Sequence, residues 1–337
     1  MTLRIGLTHG YRTSGGGSNV NSGLLAGLES NARCEVVAFD PSAGERPVCD
    51  VVVCTGTVAV RVPGAKTVLW PLNVAPLEPA TVRLSATDIR SKVRYWLLPL
   101  KLRRSVAKCE GLVFGSQYAA DLYRDKLVGA ARLPYKVVRT GMPSLVMDRA
   151  PEPQPVPGQV LMVSHLYPYK LVVEAIEAMA IVRRDFPQAQ LRIAGKAADQ
   201  LYASRVGAAI QRYPGAAVLL GALSPAQLMT EYASADIALL TSASENAGSF
   251  HLFDSAAFGL PIIASRESST PSVMGLAAAY VDPYDPQEIA RALNAVMGDP
   301  ALRVRMSDAS SAFAEAAPTW QERADELVTF CEELVAI

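Results

Sequence analysis

The sequence predicts an α/β protein made of two doubly wound, Rossmann-like domains, and three observations predict it. At 337 residues the chain exceeds the size at which one hydrophobic core usually stops growing. A short β-rich apolar run, a Gly, Asp or Ser turn and an amphipathic stretch follow one another repeatedly through both halves. The halves are separated by the proline-rich segment DRAPEPQPVPGQ, which can neither continue a helix nor fill a central strand.

The strand candidates of the first half are Leu3–Thr8, Glu35–Phe39, Val51–Cys54, Thr67–Trp70, Leu112–Phe114 and Lys136–Arg139. Those of the second are Gln159–Val163, Gln190–Ala194, Ala217–Leu220, Ile237–Leu240, Ile262–Ala264 and Ala279–Val281. Strands alternating with helices build parallel sheets covered on both faces. Near the end, Pro300 to Pro318 and Thr319–Ile337 read as helices, the latter with Thr319 as N-cap and Glu322 at the capping-box spacing. The expected domains are residues 1–148 and 149–318, with the helix 319–337 packing back on the first. Ligands of open parallel sheets sit beyond the strands' carboxyl ends where strand order reverses, so two such domains facing each other place two binding edges on one central cleft.

Composition narrows the function classes. Half of the residues are hydrophobic and 19% charged, which is a core-forming chain. Lysine plus arginine balances aspartate plus glutamate at 32 each, leaving no basic excess for nucleic acid. Cys34, Cys49, Cys54, Cys109 and Cys331 form no CxxC pair, and His9, His165 and His251 have no HExxH-like spacing, so free thiols, a reducing compartment and no metal site are expected. The N-terminus MTLRIGLTHG lacks a signal-peptide stretch, and no run approaches the roughly 20 apolar residues of a membrane span. A cytoplasmic protein, at most peripheral on a membrane, is expected. Gly195-Lys196 lacks the rest of a P-loop and no GxSxG elbow occurs, which removes local support for kinase, ATPase and serine hydrolase chemistry.

The most specific stretch is SENAGSFHLFDSAAFGLPIIAS, Ser244 to Ser265, which follows the strand in ADIALLTSAS and sets an acid and a small-residue turn at a helix start. Amides exposed at a helix N-terminus favour a diphosphate, and a carboxylate there accepts hydrogen bonds from sugar hydroxyls; an ordinary strand, turn and buried helix would also account for it. The stretch resembles the donor-site signature of the retaining GT-B glycosyltransferases of family four (glycosyl transferases group 1), in which Glu, seven residues and a second Glu precede a helix ending in G-x-P. VSHLYPYKLVVEAIEAM, LRIAG, LLGALSPAQLMTEYASADIALL and YVDPYDPQEIARAL continue the resemblance in the family's order over 158–330. The first half fits more loosely. LTHGYRTSGGGSNVNSGLLAGL resembles the family's first strand, glycine-rich loop and helix, which puts Gly16 and Gly17 near the donor phosphates; a flexible surface loop is the other reading. GLVFGSQYAADLY and YKVVRTGMP resemble the last strands before the linker.

The resemblance implies a retaining transfer of a sugar from a nucleotide-diphosphate donor to a glycan, lipid-linked or small-molecule acceptor. It implies no cofactor and no metal, a donor held mainly by the second domain, and a donor phosphate oxygen that takes the acceptor's proton. Asp254 takes the place of the second Glu, which accepts hydrogen bonds from ribose, with a shorter reach. Eight positions back from Asp254 lies Asn246 and nine back Glu245; an inserted residue with Glu245 as the acid is favoured, because a loop absorbs a residue more easily than the site loses its charge. Lys170 matches the phosphate-binding lysine that neutralises the leaving diphosphate. His165 stands where the family usually has arginine, either as a mostly neutral hydrogen-bond donor or as a polar residue at a strand end. Ala247, Gly248, Ser249 and Phe250 match the turn whose amides meet the donor, and Gly221 to Leu223 the segment that holds the base.

Two rivals follow from the departures at 165, 246 and 254: a nucleotide-sugar-binding protein without catalysis, and another GT-B enzyme, an inverting transferase or a phosphorylase. A last feature is RSKVRYWLLPLKLRR, Arg90 to Arg104, with six basic residues among Tyr95, Trp96 and leucines and with Pro99 interrupting it. It reads either as a surface for an anionic membrane or as a half-buried helix with snorkelling charges.

Overall fold

A computed structural model of the chain describes residues 2–8, 16–85, 89–142 and 152–336. They divide into two compact units, Met1–Pro143 with Glu245–Gly248 and Pro318–Ile337, and Ser144–Ser244 with Ser249–Ala317.

The first unit runs β1 (Leu3–Thr8), α1 (Gly16–Glu29), β2 (Cys34–Phe39), β3 (Val51–Thr55), β4 (Lys66–Trp70), α2 (Pro79–Ser85), α3 (Ile89–Val106), β5 (Gly111–Phe114), α4 (Gln117–Lys126) and β6 (Tyr135–Val137). Its sheet has the order β2-β1-β3-β4-β5-β6, with every pairing parallel. The central strand Val51–Cys54 is wholly buried, as a strand covered on both faces must be.

The second unit runs β7 (Gln159–Val163), α5 (Val172–Val182), β8 (Gln190–Ala194), α6 (Gln200–Arg212), β9 (Ala217–Gly221), α7 (Pro225–Ser234), β10 (Ile237–Leu240), α8 (Phe250–Ala257), β11 (Ile262–Ser265), α9 (Thr270–Met274), β12 (Ala279–Val281), α10 (Pro286–Gly298) and α11 (Pro300–Ala316). Its sheet is again parallel, in the order β12-β11-β10-β7-β8-β9. The core of this unit gathers Val160, Met162, Ile176, Met179, Ile193, Leu239, Ile263 and Leu293 between the sheet and α5, α6 and α10.

The chain then re-enters the first unit as α12 (Trp320–Ala336). Thr319 and Glu322 form the expected reciprocal cap, Glu322 accepting from the Thr319 amide at 2.7 Å and Thr319 Oγ1 from the Glu322 amide at 3.2 Å. α12 packs on α1 through two glycines one turn apart. A Cβ on Gly23 would lie 2.3 Å from the Trp320 ring, and one on Gly27 2.4 Å from the Trp320 carbonyl oxygen. Asn31 donates to Asp325 at 2.7 Å and Arg33 pairs with Glu332, fixing the register of the two helices.

All twelve strand candidates exist; the largest shift is Lys136–Arg139, found as Tyr135–Val137. Pro99 does not interrupt its helix, because α3 continues through it to Val106. The proline forfeits the bond to the Tyr95 carbonyl, while buried Leu102 and Val106 anchor the following turns. The five cysteines are free and buried. Among the described residues no helix is long and apolar enough to cross a membrane. The linker residues Asp148 to Pro151 and the glycine-rich loop from His9 to Gly15 lie outside the described residues.

Candidate functional site

In the second unit the chain lays β7, β8 and β9 outward in one direction, then returns to the other side of β7 with β10. The connections leaving the carboxyl ends of β7 and β10 therefore part in opposite directions and open the crevice where such sheets take ligands. One connection carries His165 and Lys170, the other leads through Thr241 to Ser249. They are stitched together: Thr241 Oγ1 donates to the carbonyls of Lys170 and Leu171 at 2.9 and 3.1 Å, and the Ala243 amide to the Tyr169 carbonyl at 2.8 Å. Leu171 is buried with φ 51°, a left-handed conformation costing a β-carbon residue roughly 1–2 kcal/mol. The Thr241 bond and the bond from the Val172 amide to the Tyr202 hydroxyl at 2.8 Å hold it there. α6 thus caps the N-terminus of α5, while Lys170 sits in the 3-10 turn Pro168–Lys170 just before it, its Nζ 5.2 Å from the centre of the Tyr169 ring.

His165 follows β7, half-buried. Its Nδ1 accepts from the Lys196 amide at 3.1 Å, so a neutral ring carries its proton on Nε2. Burial and the charges of Lys196 and Lys170 push its pKa below the usual histidine value, which keeps it neutral at pH 7. It is a fixed single donor beside two cations, and no substitute for arginine's charge. The Lys196 loop reaches it because Gly195, at φ 156°, passes so close that a Cβ would lie 1.9 Å from the Ser164 carbonyl oxygen.

Across the switch point, Gly248 has φ 75° and Ser249 is the N-cap of α8 without making a side-chain cap bond. Phe250 opens the helix, half-buried. The next residue, His251, is 2% exposed, and its Nε2 donates to the Leu239 carbonyl at 3.2 Å. Its Nδ1 faces the Tyr232 hydroxyl at 3.2 Å. Burial, reinforced by the charge of Lys170, lowers its pKa to about 4. The same Tyr232 hydroxyl lies 3.2 Å from Asp254 Oδ2. Burial pushes the Asp254 carboxyl up to about 7, opposed by that tyrosine bond. The charge of Lys170 thus acts on both His165 and His251. Gly221, at φ 72°, ends β9, and Leu223 follows it just before the Ser224–Gln227 capping box of α7; the Gly221 carbonyl accepts from the Gly195 amide at 2.8 Å.

Glu245 to Gly248 group with the first unit. There the Asn246 carbonyl accepts from Ser116 Oγ at 2.6 Å, and its side-chain amide donates to the Pro71 carbonyl at 3.2 Å. Ala247 lies over Gly115, where a Cβ would come within 2.4 Å of its own. Glu245 is half-buried. Gly16 and Gly17 form the first residues of α1.

Sequence reasoning missed Tyr202, Gly195, Tyr232 and His251. The first two act through backbone contacts that leave no pattern. The spacing of His251, Asp254 and Ser255 at i, i+3 and i+4 was legible as one helix face, but nothing local pairs that face with Tyr232.

Residues 148–313 match the family model described as glycosyl transferases group 1. No curated protein matches the chain by sequence. Among solved structures, a sucrose-phosphate synthase from Thermosynechococcus elongatus superposes with a TM-score of 0.72 at 14% identity, covering 99% of both chains. HepE from Anabaena, solved in complex with UDP and glucose, gives 0.70 at 15% identity, covering 98% of this chain and 99% of its own. A glycosyltransferase from Rickettsia africae gives 0.66 at 12% identity, with 99% of both chains covered. At such identity these likenesses establish the fold, and the family match falls on the segment that builds the switch-point site. The chain is a glycosyltransferase of GT-B fold whose residues 148–313 belong to the glycosyl transferases group 1 family.

Proposed function

We propose that the chain moves a sugar from a nucleotide-diphosphate donor to a glycan or lipid-linked acceptor with retention of anomeric configuration. The donor is held by residues 149–318 and the acceptor by residues 1–148. The observation that carries the reading is the junction of the β7 and β10 connections, which sets Lys170 beside the start of α8. In the proposed reaction the bond from C1 to the donor phosphate breaks as the acceptor oxygen bonds to C1 on the same face. The acceptor's proton passes to a phosphate oxygen of the departing diphosphate. Lys170, with the amides of Ser249 and Phe250 at the α8 N-terminus, counters the charge gathered there, so neither a metal nor a cofactor is needed. His165 donates one hydrogen bond from Nε2, and Asp254 accepts from ribose. Glu245 is the acid for the transferred sugar, favoured over Asn246 because it alone brings a charge and the turn can absorb one inserted residue. Gly221 and Leu223 border the base, and Gly16 and Gly17 the phosphates.

HepE was solved with UDP and glucose, which makes a uridine donor the first to try. Incubation with a panel of nucleotide sugars and analysis of the product anomer tests the reading. Turnover with retention is expected; binding without turnover or an inverted product overturns it.

The acceptor side carries the basis for a peripheral membrane contact. On α3, Val93, Trp96, Leu97 and Leu100 form one exposed stripe, with Trp96 71% exposed. At about 100° per residue, Lys92 and Arg103 border it on one side and Arg90, Arg94 and Lys101 on the other, while Arg104 continues the stripe's own line past Leu100. An apolar stripe between two basic rows suits an anionic surface, where each cation adds about 1 kcal/mol. Beside it a groove of about 480 Å³, lined by Leu77, Val82, Tyr95, Trp96 and Arg103 among others, is of a size for an apolar part of the acceptor.

A further inference from the structure

The Tyr232 hydroxyl has one proton and two claimants. His251 Nε2 faces the Leu239 carbonyl, which can only accept, so Nε2 holds the ring proton and Nδ1 is a bare acceptor. Ser255 cannot satisfy Nδ1 well, because its hydroxyl donates to the His251 carbonyl at 2.6 Å and lies 3.4 Å from the ring nitrogen. That leaves Tyr232, at 3.2 Å from Nδ1 and 3.2 Å from Asp254 Oδ2. Tyr232 is 1% exposed and stacked on Phe258 at 5.4 Å, so the hydroxyl cannot swing away.

We propose that Tyr232 is a positioning residue for ribose recognition, its hydroxyl proton shared between His251 and Asp254 so that the carboxylate is aimed at a ribose diol, whose engagement favours the ionised form. The inference rests on the reading of Asp254 as the ribose acceptor. With Asp254 protonated, its own proton bonds the tyrosine oxygen and the tyrosine proton goes to Nδ1, so each group is satisfied. With Asp254 ionised, Tyr232 turns its proton to the carboxylate and Nδ1 loses its donor. Two ribose hydroxyls compensate that loss, since hydrogen bonds to a charged acceptor are about twice as strong as neutral ones.

The groups that act on the cluster are named by the packing. α8 contributes His251, α7 contributes Tyr232, and the β7–α5 connection contributes Lys170, whose charge acts on His251. α11 faces α8 with Phe313, and β10 with the Leu239 carbonyl. Burial sets the Asp254 carboxyl near 7, so the ribose contribution is expected above that pH and shrinks as pH falls through it.

The test is titration calorimetry of the full chain with UDP, ADP, GDP and CDP and with the 2′,3′-dideoxy form of each. At pH 8 the nucleotide that binds is expected to bind about tenfold tighter than its dideoxy form, and this preference narrows at pH 6. Tyr232→Phe removes most of the preference and leaves dideoxy affinity unchanged. Equal weakening of both forms means a merely structural tyrosine and overturns the proposal. A preference that survives Tyr232→Phe but is lost in Asp254→Asn overturns it while leaving the ribose reading standing. A preference that survives Asp254→Asn, or no binding of any of the four, overturns the ribose reading itself. Should Tyr232→Phe fail to fold, an identical wild-type preference at pH 6 and pH 8 overturns the proposal alone.

Discussion

At the scale of single residues, two buried ionisable groups one helical turn apart pull stability in opposite directions. The raised pKa of Asp254 means that the folded state favours its neutral form. Its stabilising contribution is complete below the ordinary carboxylate range and is lost as pH rises toward about 7. The depressed pKa of His251 gives a contribution present above the ordinary histidine value and lost as pH falls toward about 4. Between those limits the two slopes oppose. Asp254→Asn removes only the first, so its melting temperature should fall more steeply than wild type between pH 6.5 and 4.5; parallel curves would refute the buried acid. Lys170 makes a different prediction. If its charge matters most as the diphosphate leaves, Lys170→Ala lowers kcat by about 10²-fold or more and weakens donor binding far less. Equal losses in both would remove it from the transition state. For the turn before α8, Glu245→Gln should cost more turnover than Asn246→Ala, and the reverse ranking would assign Asn246 to the acidic position.

Among elements, the return of α12 onto α1 depends on two missing side chains. Gly23 and Gly27 let Trp320 lie against the α1 backbone, so Gly23→Ala forces either the ring or the helix to move. Overpacking of that kind costs about 1–3 kcal/mol, enough to lower the denaturation midpoint clearly. An unchanged midpoint would mean that the ring has room to shift. The α3 helix sets an opposite expectation, because its charges contribute to contact and little to folding. Replacing Arg90, Arg94, Lys101 and Arg104 by glutamine should abolish flotation with anionic vesicles at low salt and leave the melting temperature nearly unchanged. Wild-type protein that stays soluble with such vesicles removes the membrane contact and leaves the transferase intact.

For the molecule as a whole, positive charge at the diphosphate comes in the proposed mechanism from Lys170 and helix amides, so turnover should survive a strong chelator; loss with rescue by magnesium or manganese would show otherwise. The amino-acid sequence determined the twelve strands and the parallel, doubly wound class, because a strand buried on both faces reads as a continuous apolar run and most of the crossovers contain an amphipathic helix. It also showed Asp254 and Lys170 as candidates, since Lys170 sits at a strand-to-helix junction and Asp254 in the helix that follows another, and both stretches carry a local signature. Pro99 was misread because propensity is local, whereas the turns after it are held by the burial of Leu102 and Val106. Only the tertiary structure decided what each polar group meets. The neutral His165 beside two cations, the cap of α5 by Tyr202, the glycine contact of α12 and the Tyr232 hydroxyl shared by His251 and Asp254 all join residues far apart along the chain. Such pairings depend on distances and burial in space, which hydrophobic periodicity does not encode.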